Sequence, residues 1–278
     1  MNSSNESTVI SQTFTKTDSG STLYQSAIFL LGSYIIALLI SSAVHELGHG
    51  LALTSLSIGF KLVLNPFSMS MAMPLSPIPQ ESLLFTVVLG MLTEVLFGTA
   101  IFLALWRWRS PRLAPLLLIG PLSYLLSSGY LLAGAIVPDS DVSLMLSAGV
   151  PSLLIQGLGF LLMVLGATAL FLLLPLFGIS QEDSFLRIFL ILLVGMTTHG
   201  LGMILFALIT NPLEMYVGIA NVISMSITVT ILSGVYLKAR VAIDRVVHTE
   251  VAQLDRSTIY STAGIAIILI IFEFLFFN

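Results

Sequence analysis

Long apolar runs separated by short polar breaks dominate this chain. Windows of about 20 mostly apolar residues, the length that crosses a bilayer core, fall near 24–56, 82–106, 113–136, 151–178, 185–210, 217–237 and 259–277. The pattern predicts an all-α polytopic membrane protein of about seven transmembrane helices. Pro151 stands where a helix start tolerates proline best, and Trp106 and Trp108, beside Arg107, Arg109 and Arg112, suit an interface anchor.

Two stretches depart from the helical pattern. Residues 60–74 read FKLVLNPFSMSMAMP, with a turn signal at Asn65-Pro66 followed by alternation of Ser68, Met69, Ser70 and Met71. A short β-hairpin-like insertion after the first helix is predicted; an ordinary interfacial loop is the alternative. Residues 238–257 form the only strongly charged stretch, and Val241, Ile243, Val246 and Val247 among the charges suit a surface helix on the cytoplasmic leaflet or a solvated connector.

Composition agrees with a bilayer environment. Hydrophobic residues make up 56% of the 278 and charged ones 9%, against about 25% charged in a soluble domain. Residues 1–22, rich in Ser, Thr and Asn, read as a disordered tail without the basic start and apolar core of a signal peptide. Residues 23–278 read as a single transmembrane domain. No cysteine is present, so thiolate ligands and a cysteine nucleophile are excluded, and no basic patch suggests nucleic acid. No internal repeat supports the inverted plan of many transporters.

The basic residues set an orientation. With the N-terminus in the cytoplasm and the C-terminus outside, Lys16, Arg107, Arg109, Arg112, Arg187, Lys238, Arg240, Arg245 and Arg256 all fall inside, and only Lys61 falls outside.

Chemistry concentrates in the first apolar run. Between Tyr24 and Ile58 the only Asp, Glu, Lys, Arg or His residues are His45, Glu46 and His49, in the sequence His-Glu-Leu-Gly-His. On a helix, residues four apart share a face, so two imidazoles can meet one metal ion while Glu46 beside them serves as general acid and base. Ionisable groups in lipid are expensive, which makes this cluster a functional site by default. Gly48 and Gly50 leave little side-chain bulk nearby.

A catalytic zinc site takes a third protein ligand. Asp141 and Asp139, in Val-Pro-Asp-Ser-Asp-Val after the third run, lie on the same predicted side of the membrane as the histidines. Either aspartate could be the ligand, and Asp139 is also a natural helix cap, a role that would leave ligation to Asp141. Glu94 in the second run and His199 in the fifth remain candidates, each with an alternative role as a packed polar contact between helices.

Three features together resemble the site-2 protease family of intramembrane zinc metalloproteases: His45-Glu46-Leu47-Gly48-His49 inside a membrane helix, a strand-like insertion after it, and the aspartate segment SDVSLMLSAGVP around Asp141. The resemblance covers roughly residues 24–165, a catalytic core, with 185–278 as accessory helices. It implies Zn2+ held by His45, His49 and Asp141, with Glu46 as the catalytic acid and base. It also implies a membrane-protein substrate cut within or near its transmembrane segment. Strand addition to the hairpin edge would hold the unwound substrate, with Asn65, Ser68 and Ser70 beside its backbone.

Two rival readings use the same residues. The membrane family that cuts beside prenylated cysteines takes its third ligand from a later glutamate, a place only Glu94 could fill. A metal transporter or metal-sensing membrane protein would use the histidines and intramembrane carboxylates as an ion path and tolerate loss of Glu46.

Overall fold

The computed structural model describes residues 21–65, 70–134, 140–180, 182–210, 212–247 and 251–277. Nine α-helices and one two-stranded antiparallel sheet are present among them: α1 (Leu23–Ser55), β1 (Phe60–Val63), β2 (Met71–Pro74), α2 (Gln80–Leu105), α3 (Ala114–Leu117), α4 (Ile119–Ala133), α5 (Asp141–Ser147), α6 (Ser152–Leu173), α7 (Phe185–Thr210), α8 (Pro212–Val247) and α9 (Arg256–Phe276). Five helical stretches among the described residues are long and apolar enough to cross a membrane: Leu23–Ser55, Gln80–Trp108, Pro111–Leu132, Ser152–Phe177 and Arg256–Phe276. Each coincides with a predicted span. Phe185–Thr198 adds a shorter apolar helix. The runs at 185–210 and 217–237 are helical as α7 and α8, which pack against each other.

Local chemistry fixes where α1 begins. Thr22 caps it, accepting from the Gln25 N–H at 3.2 Å while the Gln25 side chain accepts from the Thr22 N–H at 2.9 Å. This reciprocal box satisfies donors that a helix start leaves free. At the far end the chain turns at Ser57, whose φ is 59°, and enters the hairpin.

The main core lies around the first half of α1, where Phe29, Leu30, Tyr34 and Ala37 meet α3, α4, the end of α6, α7 and α8. A smaller cluster joins α2, α4, α5 and α6 through Val87, Leu131, Val142, Met145 and Ile155. In a bilayer, apolar contact alone gives helices little reason to associate, so close approach at small residues matters. Gly98 of α2 is such a point: a Cβ there would run into Ser123 of α4.

The segment around Ser21 ties several elements together at the start of α1. Leu254 N–H donates to Ser21 Oγ at 3.3 Å, and an Arg187 guanidinium N–H donates to the Ser21 carbonyl. Arg187 pairs with Asp183 at 3.0 Å, and Arg240 donates to the Asp183 carbonyl at 3.1 Å. Arg187 and Arg240 thus gather at the opposite end of α1 from Lys61.

The charged stretch differs from the surface helix predicted for it. Residues 238–247 continue α8 without a break, because no proline interrupts the helix where hydropathy falls. Residues 251–255 have no regular secondary structure and lead to α9, and 248–250 lie outside the described residues. The predicted tail falls almost wholly on residues 1–20, also outside them.

Candidate metal centre

Helices α1 and α2 cross so that His45 meets Glu94 while His49 meets Gly90 and Thr86. The partners run in opposite order along the two helices, as an antiparallel pair requires. Small residues allow the approach: a Cβ on Gly48 would stand 2.6 Å from the Leu89 carbonyl, and one on Gly90 would enter the His49 ring. Gly48 therefore serves the crossing of two helices, and Gly50 faces the Phe60 ring of the hairpin.

Asp141 reaches the histidines from α5. Ser140 caps that helix, accepting from the Ser143 N–H at 3.2 Å, so the cap is Ser140 in the place expected for Asp139. Asp139 itself lies outside the described residues. Val142, the next residue, is buried against Gly134 at the end of α4, which fixes the direction in which Asp141 points.

Three ligand-type atoms converge. His45 Nε2 lies 3.1 Å from His49 Nε2 and 3.1 Å from Asp141 Oδ2, and His49 Nε2 lies 3.3 Å from the same oxygen. No other group of at least three His, Cys, Asp or Glu residues with this spacing occurs among the described residues.

The outer nitrogens identify the tautomers. His49 Nδ1 stands 2.9 Å from the Thr86 carbonyl, which can only accept, so Nδ1 carries the hydrogen. His45 Nδ1 donates to Glu94 Oε2 at 3.0 Å. In the neutral rings both Nε2 atoms are then bare acceptors facing each other and a carboxylate oxygen, an arrangement that repels unless a cation stands among them. Three donors at corners of a tetrahedron with metal–ligand distances of about 2.0–2.1 Å stand roughly 3.3 Å apart, so the observed spacing fits a small divalent cation.

Glu46, on the neighbouring face of α1, is buried at 8% exposure and accepts from the Ala72 N–H of β2 at 2.8 Å. Glu94 is excluded as a ligand to the same ion by geometry: it binds Nδ1 of His45 while the triangle forms on Nε2. His199 lies in α7, and its side chain is outside the described residues.

The hairpin brings Asn65 and Ser70 to each other, with the Asn65 N–H donating to Ser70 Oγ at 3.2 Å. Ser68 lies outside the described residues. Tyr130 was not singled out by sequence, yet its ring centroid sits 5.5 Å from that of His45. Ser41, Ser123 and Ser127, which surround Glu94, also carried no signal beyond being hydroxyls in apolar runs.

No protein-family model matches this chain, and no curated protein or solved structure matches it.

Proposed function

We propose that this chain is an intramembrane zinc metalloprotease that hydrolyses membrane-protein substrates within or near their transmembrane segments. One observation carries the reading: the triangle of His45 Nε2, His49 Nε2 and Asp141 Oδ2 stands beside the buried carboxyl of Glu46. Two imidazoles and one carboxylate with a fourth position left open is the donor set of catalytic zinc. When bound, the ion lowers the pKa of water and polarises a carbonyl.

The chain's own residues supply the rest. His45, His49 and Asp141 hold the metal. Glu46 takes a proton from the attacking water and returns it to the leaving amine. A helical substrate hides its carbonyls in hydrogen bonds and must unwind before cleavage. The edge of the 60–74 hairpin offers backbone groups to such an unwound segment by strand addition. The burial of the site within apolar helices favours a substrate that arrives through the bilayer.

Metal content of the full chain, purified in detergent, tests this. The wild type should carry about one zinc per chain, Asp141→Ala should lose it, and Glu46→Gln should keep it while losing cleavage of a membrane-spanning reporter. A wild type that takes up no zinc from metal-replete medium sinks the reading. Retained cleavage in Glu46→Gln sinks it too, in favour of a metal transporter or sensor.

A further inference from the structure

Glu94 is the most deeply buried charged-type side chain described, at 1% exposure in the interior of α2. A carboxyl in that place is expensive unless its oxygens are satisfied, and here they are fully engaged. Oε1 accepts from Ser41 Oγ at 2.7 Å. Oε2 accepts from Ser127 Oγ at 3.1 Å and from His45 Nδ1 at 3.0 Å. Ser41 Oγ in turn lies 3.0 Å from Ser123 Oγ, whose hydroxyl donates to the Ile119 carbonyl at 2.8 Å. Three helices, α1, α2 and α4, therefore hold one carboxyl in one position.

We infer that Glu94 is a positioning residue for His45: by accepting from Nδ1–H it fixes the ring's tautomer and turns the bare Nε2 toward His49 and Asp141. The inference rests on the metal-site reading above and assigns a residue to the support of that site. A carboxyl behind a ligating imidazole raises the basicity of the ligand nitrogen and restrains ring rotation. His49 has a weaker neutral counterpart in the Thr86 carbonyl, at 2.9 Å. The two anchors come from one face of α2, with Gly90 between them giving room for the His49 ring. Residues 86, 90 and 94 of α2 thus match residues 49 and 45 of α1 turn for turn.

A simple polar clip between helices would account for the serines. It would not require that one oxygen of Glu94 face the outer nitrogen of a histidine whose inner nitrogen completes a triangle of ligand atoms. A clip would alter the stability of the bundle and leave the histidine's tautomer unchanged.

The test uses the full chain in detergent micelles, with Glu94→Ala and Glu94→Gln beside the wild type. Two quantities are read: the zinc Kd, by competition with a chromogenic chelator, and the His45 tautomer in metal-free protein, from its imidazole 15N shifts. Removal of such an outer partner weakens metal binding by roughly 10- to 100-fold, so Glu94→Ala should show a loss of that order. Glu94→Gln, a neutral acceptor of similar size, should fall between it and the wild type. His45 Nδ1 should carry a hydrogen in the wild type and be only partly protonated in Glu94→Ala.

A wild-type Kd and a wild-type tautomer in Glu94→Ala would overturn the assignment. Should that variant fail to fold, Glu94→Gln decides, and a Kd equal to that of the wild type overturns it. Failure of the wild type to bind zinc at all counts against the metalloprotease reading alone, and the tautomer shifts then decide the role of Glu94.

Discussion

Glu46 Oε2 and the backbone N–H of Ala72 are joined by a hydrogen bond of 2.8 Å, which places the edge of β2 against the helix that carries the histidines. The register explains why this N–H is free to make it. Phe60 pairs with Pro74, Lys61 with Met73, Leu62 with Ala72 and Val63 with Met71, and Leu75 N–H donates to the Gly59 carbonyl at 2.8 Å. Alternate pairs in an antiparallel ladder exchange hydrogen bonds. Residues 71, 73 and 75 therefore turn inward to β1, while 72 and 74 face outward. Pro74 has no N–H, so Ala72 supplies the one outward donor of this strand.

Replacing Ala72 by proline should remove that donor and leave the β1–β2 ladder in place, since outward edge positions tolerate proline. A hydrogen bond to a charged group contributes about 1.5–3 kcal/mol, so kcat/KM for a membrane-spanning reporter should fall roughly ten- to hundred-fold. Zinc content should not change, and Ala72→Gly, which keeps the N–H, should stay near wild type. Equal rates for the proline and glycine variants would show that the contact contributes nothing to cleavage.

The hairpin and the five long apolar helices were legible in the sequence because their signals are local: turn chemistry with alternation sets one, and a run of about 20 apolar residues sets the other. His45 and His49 were legible because helical geometry alone puts them on one face. Asp141 was legible only as one candidate among Asp141, Asp139, Glu94 and His199, since it lies 96 residues from His45 and the packing of α5 against α2 and α4 brings it there. The role of Glu94 depended on the antiparallel crossing of α1 and α2, which no spacing within one helix reveals. The continuation of α8 to Val247 was hidden by a fall in hydropathy, although backbone hydrogen bonding does not stop where polarity begins.

Asp255 gives a pH-dependent prediction far from the metal centre. Its carboxylate caps α9, accepting from the Thr258 N–H at 2.7 Å and the Thr258 hydroxyl at 2.9 Å. These bonds favour the charged form and hold the pKa below its ordinary value. A folded pKa below the unfolded one means that the stabilisation is complete above about pH 4 and fades as pH falls through the folded value. Asp255→Ala should therefore melt earlier than wild type near neutrality, with the gap narrowing below about pH 4. Thermal unfolding in detergent across that range checks it, and a gap independent of pH would exclude the charged cap as its source.

Gly90→Ala separates helix propensity from the geometry of the metal centre. In an open helix position alanine is favoured over glycine by about 0.5–1 kcal/mol. Gly157 in α6 has open space around its built Cβ, and Gly157→Ala should show that gain. At Gly90 the same Cβ would enter the His49 imidazole, and overpacking of this kind costs typically 1–3 kcal/mol, so the steric cost wins. Either His49 moves away from Asp141 or α2 moves away from α1. The metal-free variant should melt below wild type, and its zinc affinity should fall roughly tenfold or more. Gly157→Ala should leave zinc affinity unchanged. A Gly90→Ala protein with wild-type melting and wild-type affinity would mean that His49 does not rest on α2 in the way described.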